Sequence, residues 1–162
     1  MTMIKIIGCG NILRHDDGVG VYVINELKKM PLAKDVELID AGTRGLDIVS
    51  FLEGAQKVII VDAVKSKAEP GTVYRFDIDE NKIRQTQVRS ISTHEFNWEN
   101  VLAIGSRIYG DAFPKQIVFF GIEIENIEPS LGLSSAINES LPKVVKLILE
   151  ELKNGKTKLL GS

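Results

Sequence analysis

Cysteine is nearly absent from this 162-residue chain, which has one, Cys9. A single cysteine excludes an intrachain disulfide and a zinc site built from several cysteines, and it favours a reducing compartment. The chain also lacks the run of about 18 apolar residues that reads as a membrane helix. Its N-terminus does not show a basic region, an apolar run and a small-residue cleavage site in succession. We therefore expect a cytoplasmic protein with no membrane partner.

Neither sign of charge is in large excess, because 20 basic and 22 acidic side chains leave a net charge of −2. A nucleic-acid-binding surface needs a basic stripe, and only the short stretch from Lys153 to Lys158 is basic. We therefore expect no nucleic-acid partner. The length fits one domain. We predict a single α/β domain over residues 1–153 and a flexible tail over residues 154–162.

Short apolar runs alternate with segments of helical periodicity. The predicted strands cover residues 3–7, 36–39, 58–61, 72–76 and 117–120, the fourth at a sheet edge. The predicted helices begin after Asp17, near Leu46, at Ser92, where Ser92 and Glu95 form a capping box, and at Ser134 or Ser135. Residues 79–90 are predicted to form a loop, and Pro142 predicts a kink or break in the last helix. The alternation predicts a three-layer α/β fold, a mostly parallel twisted sheet of about five strands with helices on both faces.

Carboxylates follow the predicted strands, at the sheet edge where such folds form their sites. Asp16 and Asp17 come after the first strand, Asp40 after the second and Asp62 after the third. Each has an ordinary alternative, because one aspartate of the pair would cap a helix and the others would bond to turn backbone. His94 falls in the first turn of a predicted helix, where the helix dipole favours a neutral imidazole. Oxygen ligands and one imidazole suit a divalent ion such as nickel, manganese or zinc.

A nucleotide site is the competing hypothesis for the first turn. Gly8 and Gly10 match the start of a dinucleotide-binding fingerprint, but Leu13 occupies the position of its third glycine. Two aspartates at the following helix start would also repel a pyrophosphate. We expect Cys9 to be a core residue rather than a nucleophile, and His15 to be exposed.

An ordered set of short motifs resembles the nickel–iron hydrogenase maturation endopeptidases. The matching pieces are Gly8–Leu13 with Asp16–Gly20, Asp40–Thr43, Val61–Ala63, Ser92–His94, Gly121–Glu123, Glu128–Pro129 and Gly132–Ser134. Members of that family remove a C-terminal extension from the large-subunit precursor of a hydrogenase after nickel has been inserted. The resemblance implies the same peptidase activity and the same partner here, with nickel carried by the substrate rather than held permanently.

The resemblance also assigns residues. It places metal recognition at Asp17, Asp62 and His94, in the catalytic centre. It places substrate binding at Asp40, Gly42, Thr43 and Gly45. Some family members have glutamate at the position of Asp17, so that ligand is one methylene shorter here, and Asp16 is a neighbour that could compete for the role. No general base or nucleophile is assigned.

Two other functions remain open from the sequence. A noncatalytic chaperone would bind the precursor and leave its tail uncut. A nucleotide-binding α/β enzyme is disfavoured by the missing third glycine.

Overall fold

A computed structural model describes residues 3–88, 97–125 and 127–160, with side chains to residue 154. Its five strands are Ile4–Cys9 (β1), Val36–Gly42 (β2), Lys57–Val64 (β3), Val73–Ile78 (β4) and Gln116–Glu123 (β5). They form one sheet in the order β2-β1-β3-β5-β4. The first four in this order are parallel, and β4 pairs antiparallel with β5 at one edge. The predicted sheet and its edge strand are confirmed.

The helices form a layer on each face of the sheet. They are Val19–Leu27 (α1), Ile48–Phe51 (α2), Glu80–Gln85 (α3), Trp98–Tyr109 (α4) and Ser135–Leu160 (α5). Alternate residues of a strand point to opposite faces. One face, with Ile59 and Val61 of β3, packs against α1 and α5, and the other, with Val58 and Ile60, packs against α2, α3 and α4. In the described part of the chain, none of these helices is long and apolar enough to cross a membrane.

The prediction of a loop over residues 79–90 is wrong in its first half, where Glu80–Gln85 forms α3. Asp79 caps this helix by accepting a hydrogen bond from the backbone N–H of Asn81 at 2.8 Å. Arg84 pairs with Glu80 one turn earlier at 2.7 Å, and only Ile83 is buried. A helix with one buried apolar residue shows no hydrophobic periodicity, so the sequence pattern did not reveal it.

Helix α4 begins later than the predicted start at Ser92. Asn97 has an extended backbone and its side chain accepts the N–H of Glu99 at 2.8 Å, which makes Asn97 the N-cap. The predicted capping box lies outside the described residues, together with His94. The actual cap is therefore a single asparagine that the sequence analysis did not identify.

Helix α5 continues through Pro142, so of the predicted kink or break the break does not occur, and the kink stays a prediction. Proline in a helix interior removes one backbone hydrogen bond. Buried apolar residues on both sides of the proline, including Ile137 and Ile148, pack the helix onto the sheet. That packing holds the helix together where its own hydrogen bonding is interrupted. Helix α5 extends to Leu160, into the segment 154–162 that is predicted to be a flexible tail. The side chains after residue 154 lie outside the described part, and the flexibility of this segment stays a prediction.

Candidate functional site

The segment between β1 and α1 packs tightly against the carboxyl ends of the strands. A Cβ atom on Gly20 would lie 2.3 Å from the carbonyl oxygen of Val61 and 2.4 Å from that of Cys9. A Cβ on Gly10, whose φ is +130°, would lie 1.9 Å from the carbonyl oxygen of Asp17. These glycines therefore serve contacts within the chain. The backbone of Asp17 occupies the space beside Gly10 that a pyrophosphate would need, which argues against the nucleotide hypothesis.

Asp16 has a structural role. It is 1% exposed and lies in the 3₁₀ turn His15–Gly18. Its two carboxylate oxygens accept the backbone N–H of Ser134 at 2.7 Å and the Ser134 hydroxyl at 2.8 Å. The carbonyl of Ser134 accepts the first-turn N–H of Asn138 in α5 at 2.9 Å. Asp16 thus joins the turn to the start of α5, and the adjacent Asp17 is the member of the pair that is free for another role.

Asp17 is partly exposed at the same edge of the sheet. One of its oxygens, Oδ2, accepts the backbone N–H of Asn11 at 2.9 Å, which fixes the side chain within its own loop. The negative charge of Asp17 contributes to raising the pKa of Asp62. The structure therefore brings these two predicted site residues into electrostatic contact.

Asp62 lies near the end of β3, opposite Gly121 of β5. Its Oδ1 accepts the backbone N–H of Ala63 at 2.8 Å, and its Oδ2 accepts the indole N–H of Trp98 at 3.0 Å. Burial raises the pKa of Asp62 to about 6, the two hydrogen bonds oppose that rise, and the charge of Asp17 adds to it. At pH 7 the group is mostly ionised, and a cation would stabilise that state.

The predicted substrate-binding residues lie at the end of β2, one strand removed from β3, and in the turn that follows β2. Asp40 lies within β2 and its Oδ1 accepts the N–H of Gly42 at 3.0 Å. Gly42 and Gly45 have φ of 50° and 57°, where glycine is favoured, and the carbonyl of Gly42 accepts the N–H of Gly10 at 2.9 Å. Thr43 is exposed between them. The turn is therefore anchored to the loop that carries Asp17, and its outer side is open.

Cys9 ends β1 between these two strand ends. It is 4% exposed, and burial together with the charges of Asp62 and Asp40 raises the pKa of its thiol. A thiol held in its protonated form is a poor nucleophile. These observations agree with the predicted core role.

The third predicted metal-recognising residue, His94, lies outside the described residues. Within the described ranges, no group of three or more histidine, cysteine, aspartate or glutamate side chains is arranged to hold a metal ion. The structure thus shows Asp17 and Asp62 together and gives no position for His94.

Sequence reasoning missed two residues that organise this edge. One is Trp98, which no motif marks. The other is Glu123, a fully buried carboxylate that accepts the Ser66 hydroxyl, the Ser66 N–H at 2.7 Å, the Ala68 N–H at 3.2 Å and the Tyr74 hydroxyl at 3.2 Å. The Ser66 bonds, first among these causes, lower the pKa of Glu123. The sequence did offer one sign of this role, because Glu123 lies in the matched motif Gly121–Glu123 at the end of β5. It orders the loop that follows β3.

His15 is not exposed as expected. Its φ is 52°, it is partly buried, and its Nδ1 atom is buried without a hydrogen-bond partner among the described residues. Its backbone N–H donates to the carbonyl of Ser130 at 2.9 Å, which holds the left-handed conformation in place. The turn that carries Asp16 and Asp17 is therefore locally strained.

Replacing His15 by glycine should raise the free energy of unfolding by about 0.5–1 kcal/mol, because glycine adopts positive φ without a Cβ clash. Replacement by alanine retains the Cβ and should give no such gain. Chemical denaturation of the two variants measures the difference directly. A glycine variant less stable than the alanine variant would contradict the strain at this position.

Comparisons with known proteins point to one family. The model of the hydrogenase maturation protease family matches residues 21–151. A protein of Methanocaldococcus jannaschii, assigned by its name to the hydrogenase maturation proteases, is 35% identical over 159 residues, covering 93% of this chain and 96% of that protein. The hydrogenase 2 maturation protease of Escherichia coli is 29% identical, over 93% of this chain and 90% of its own. The solved structure of the E. coli hydrogenase maturating endopeptidase HybD superposes with a TM-score of 0.77 at 27% identity, over 95% of this chain and 94% of that one.

Proposed function

The chain belongs to the hydrogenase maturation protease family and is an endopeptidase, and on that premise we propose that it removes the C-terminal extension of a nickel–iron hydrogenase large-subunit precursor. Cleavage follows nickel insertion, and the nickel already bound in the precursor is the feature that the enzyme recognises. The metal is part of the substrate and is not a resident cofactor.

The pair Asp17 and Asp62 carries this proposal. Both carboxylates lie at the carboxyl edge of the sheet, and each accepts hydrogen bonds from neutral N–H groups. Among the described residues, neither forms an ion pair with a lysine or arginine. Two coupled acids without a counter-charge attract a cation, and a cation brought by the substrate would balance them.

The ligand chemistry supports a metal held by the substrate. Carboxylate oxygens and an imidazole suit nickel, and His94 supplies the third group in this proposal. Two carboxylates and one histidine from separate segments should bind a free ion weakly. Additional ligands from the precursor would complete the coordination. Recognition would then require a precursor that already contains its metal.

The surroundings of the pair suit a protein substrate. Exposed apolar side chains lie on the loops at this edge, among them Leu13 at 62% and Leu131 at 69% exposure. The backbone N–H of Ser130 donates to the carbonyl of Leu13 at 3.0 Å, so the two loops that carry these leucines are joined. Exposed leucines on two joined loops offer an apolar contact surface to a protein partner. We assign them to the precursor, along with the turn of Asp40, Gly42, Thr43 and Gly45.

Nickel gating can be tested with a purified precursor from the same source, prepared with and without nickel. We expect this enzyme to shorten only the nickel-loaded form, as read from the mass of the C-terminus. A precursor truncated at the mature end serves as the control and should keep its mass. Equal cleavage of both forms would retain the peptidase and exclude gating. Binding of the loaded form without cleavage would identify a chaperone instead.

A further inference from the structure

Trp98 links the start of a helix to the carboxylate at the end of a strand. It is the only tryptophan in the chain and the first residue of α4. Its indole Nε1–H donates to Oδ2 of Asp62 at 3.0 Å. Its ring meets the ring of Phe119 on β5 edge-on, with centroids 6.3 Å apart and planes at 70°. The cap at Asn97 fixes where the helix begins, and so fixes the position of the indole.

A neutral donor is well suited to orient a carboxylate that must bind a cation. An arginine or lysine would neutralise Asp62 and compete with a metal, whereas an indole N–H orients the carboxylate and leaves its net charge in place. Each carboxylate oxygen has about two acceptor sites. Among the described residues, Ala63 is the donor to Oδ1 and Trp98 is the donor to Oδ2, which leaves each oxygen one acceptor site for a cation. Removing a partner that orients a metal ligand in this way typically lowers metal affinity or activity about 10- to 100-fold.

We propose that Trp98 is a positioning residue for Asp62, holding its carboxylate in the one orientation that receives the metal centre of the substrate. The proposal rests on the proposed role of Asp62. The hydrogen bond orients the carboxylate of Asp62 and needs the indole N–H. The edge-on contact with Phe119 only packs α4 against β5 and needs no more than an aromatic ring.

Two variants separate these contributions. Trp98→Phe keeps an aromatic ring against Phe119 and removes the N–H donor, and we expect kcat for the nickel-loaded precursor to fall about 10- to 100-fold. Phe119→Leu is the matched control, because it removes the ring contact and keeps the N–H. We expect the control to lower the melting temperature at least as much as Trp98→Phe while kcat stays near that of the wild type. A purely structural role for Trp98 predicts that kcat follows stability in both variants.

The hydrogen bond between Trp98 and Asp62 can be observed directly by NMR. A single tryptophan gives a single indole N–H signal in a ¹H–¹⁵N spectrum. We expect Asp62→Asn to move this signal upfield at pH 7, because the donor then faces a neutral amide instead of a carboxylate. This measurement needs neither substrate nor activity, so it can still overturn the inference if Trp98→Phe folds poorly.

The outcomes distinguish this inference from the proposed function. If Asp62→Ala stops cleavage while Trp98→Phe keeps the wild-type kcat, Trp98 is not a positioning residue and the proposed function stands. An indole signal that does not move in Asp62→Asn overturns the inference in the same way. If Asp62→Ala cleaves normally, the role of Asp62 fails, and the role of Trp98 fails with it.

Discussion

Asp62→Ala is expected to slow cleavage of the nickel-loaded precursor by about 100-fold or more. Asp17→Ala and His94→Ala have the same effect, because the three side chains are proposed to act on one metal centre. The folded protein should survive the change at Asp62. Its folded pKa of about 6 exceeds the ordinary value of 3.8, so its stabilising contribution is complete below pH 3.8 and is lost as pH rises through 6. At neutral pH the alanine variant loses two hydrogen bonds but also removes a costly buried charge.

The control for this prediction is a carboxylate at the opposite edge of the sheet. Asp79 follows β4, which runs antiparallel, so it lies at the amino ends of the parallel strands. Asp79→Asn removes a negative charge and keeps a good helix cap, and its cleavage rate should match the wild type. Circular dichroism and a processing assay on the same preparations give fold and activity together. Full processing by all three alanine variants would contradict the assigned site.

The strand order could not be read from the sequence, although the layers could. Three of the five strands, β1, β3 and β5, are mostly buried apolar runs, and buried runs with intervening helices indicate a covered parallel sheet. The pattern located each strand within a few residues but ended every one of them two or three residues too early. Asp40 and Asp62 lie inside β2 and β3. Polar residues at a strand end resemble a turn, and only the hydrogen bonds to the neighbouring strand show that the ladder continues past them.

The site was predictable to the extent that it depends on chain order. Aspartates after successive parallel strands converge because those strands end at one edge. The choice between Asp16 and Asp17 was open, because it depends on Ser134, which is remote in sequence and lies next to Asp16 only in the fold. Trp98 was missed for the same reason. Its contact with Asp62 joins two elements whose separation and packing no local pattern specifies.

A second set of charges, away from the site, holds α5 to the sheet. Glu151 accepts hydrogen bonds from Lys57 at 2.9 Å and from Arg75 Nε at 2.8 Å, and Arg75 also bonds Asp77 at 2.9 Å. Lys57 is 5% exposed and Glu151 is 9% exposed. The two bases lower the pKa of Glu151 to about 2, and burial opposes them. The first residue of β3, the edge strand β4 and the last helix therefore meet at one ionised carboxylate.

Glu151→Ala is expected to lower the free energy of unfolding by about 3–5 kcal/mol, the usual cost of removing one partner of a buried ion pair. The loss is large because Lys57 remains buried and has no other ion-pair partner in the described part of the chain. Urea denaturation at neutral pH measures this difference. The neighbouring residue gives a matched control, since Glu150 is exposed on the same helix and Glu150→Ala should change stability by less than about 0.5 kcal/mol.

The same carboxylate predicts how stability depends on pH. The folded pKa of Glu151 lies below its ordinary value of 4.5, so its contribution is complete above pH 4.5 and is lost as pH falls towards 2. Glu151→Gln removes this titration, and its stability should fall less steeply over that interval than that of the wild type. Equal slopes for the two proteins, or equal stabilities of Glu151→Ala and Glu150→Ala, would show that the buried ion pairs do not hold α5 to the sheet.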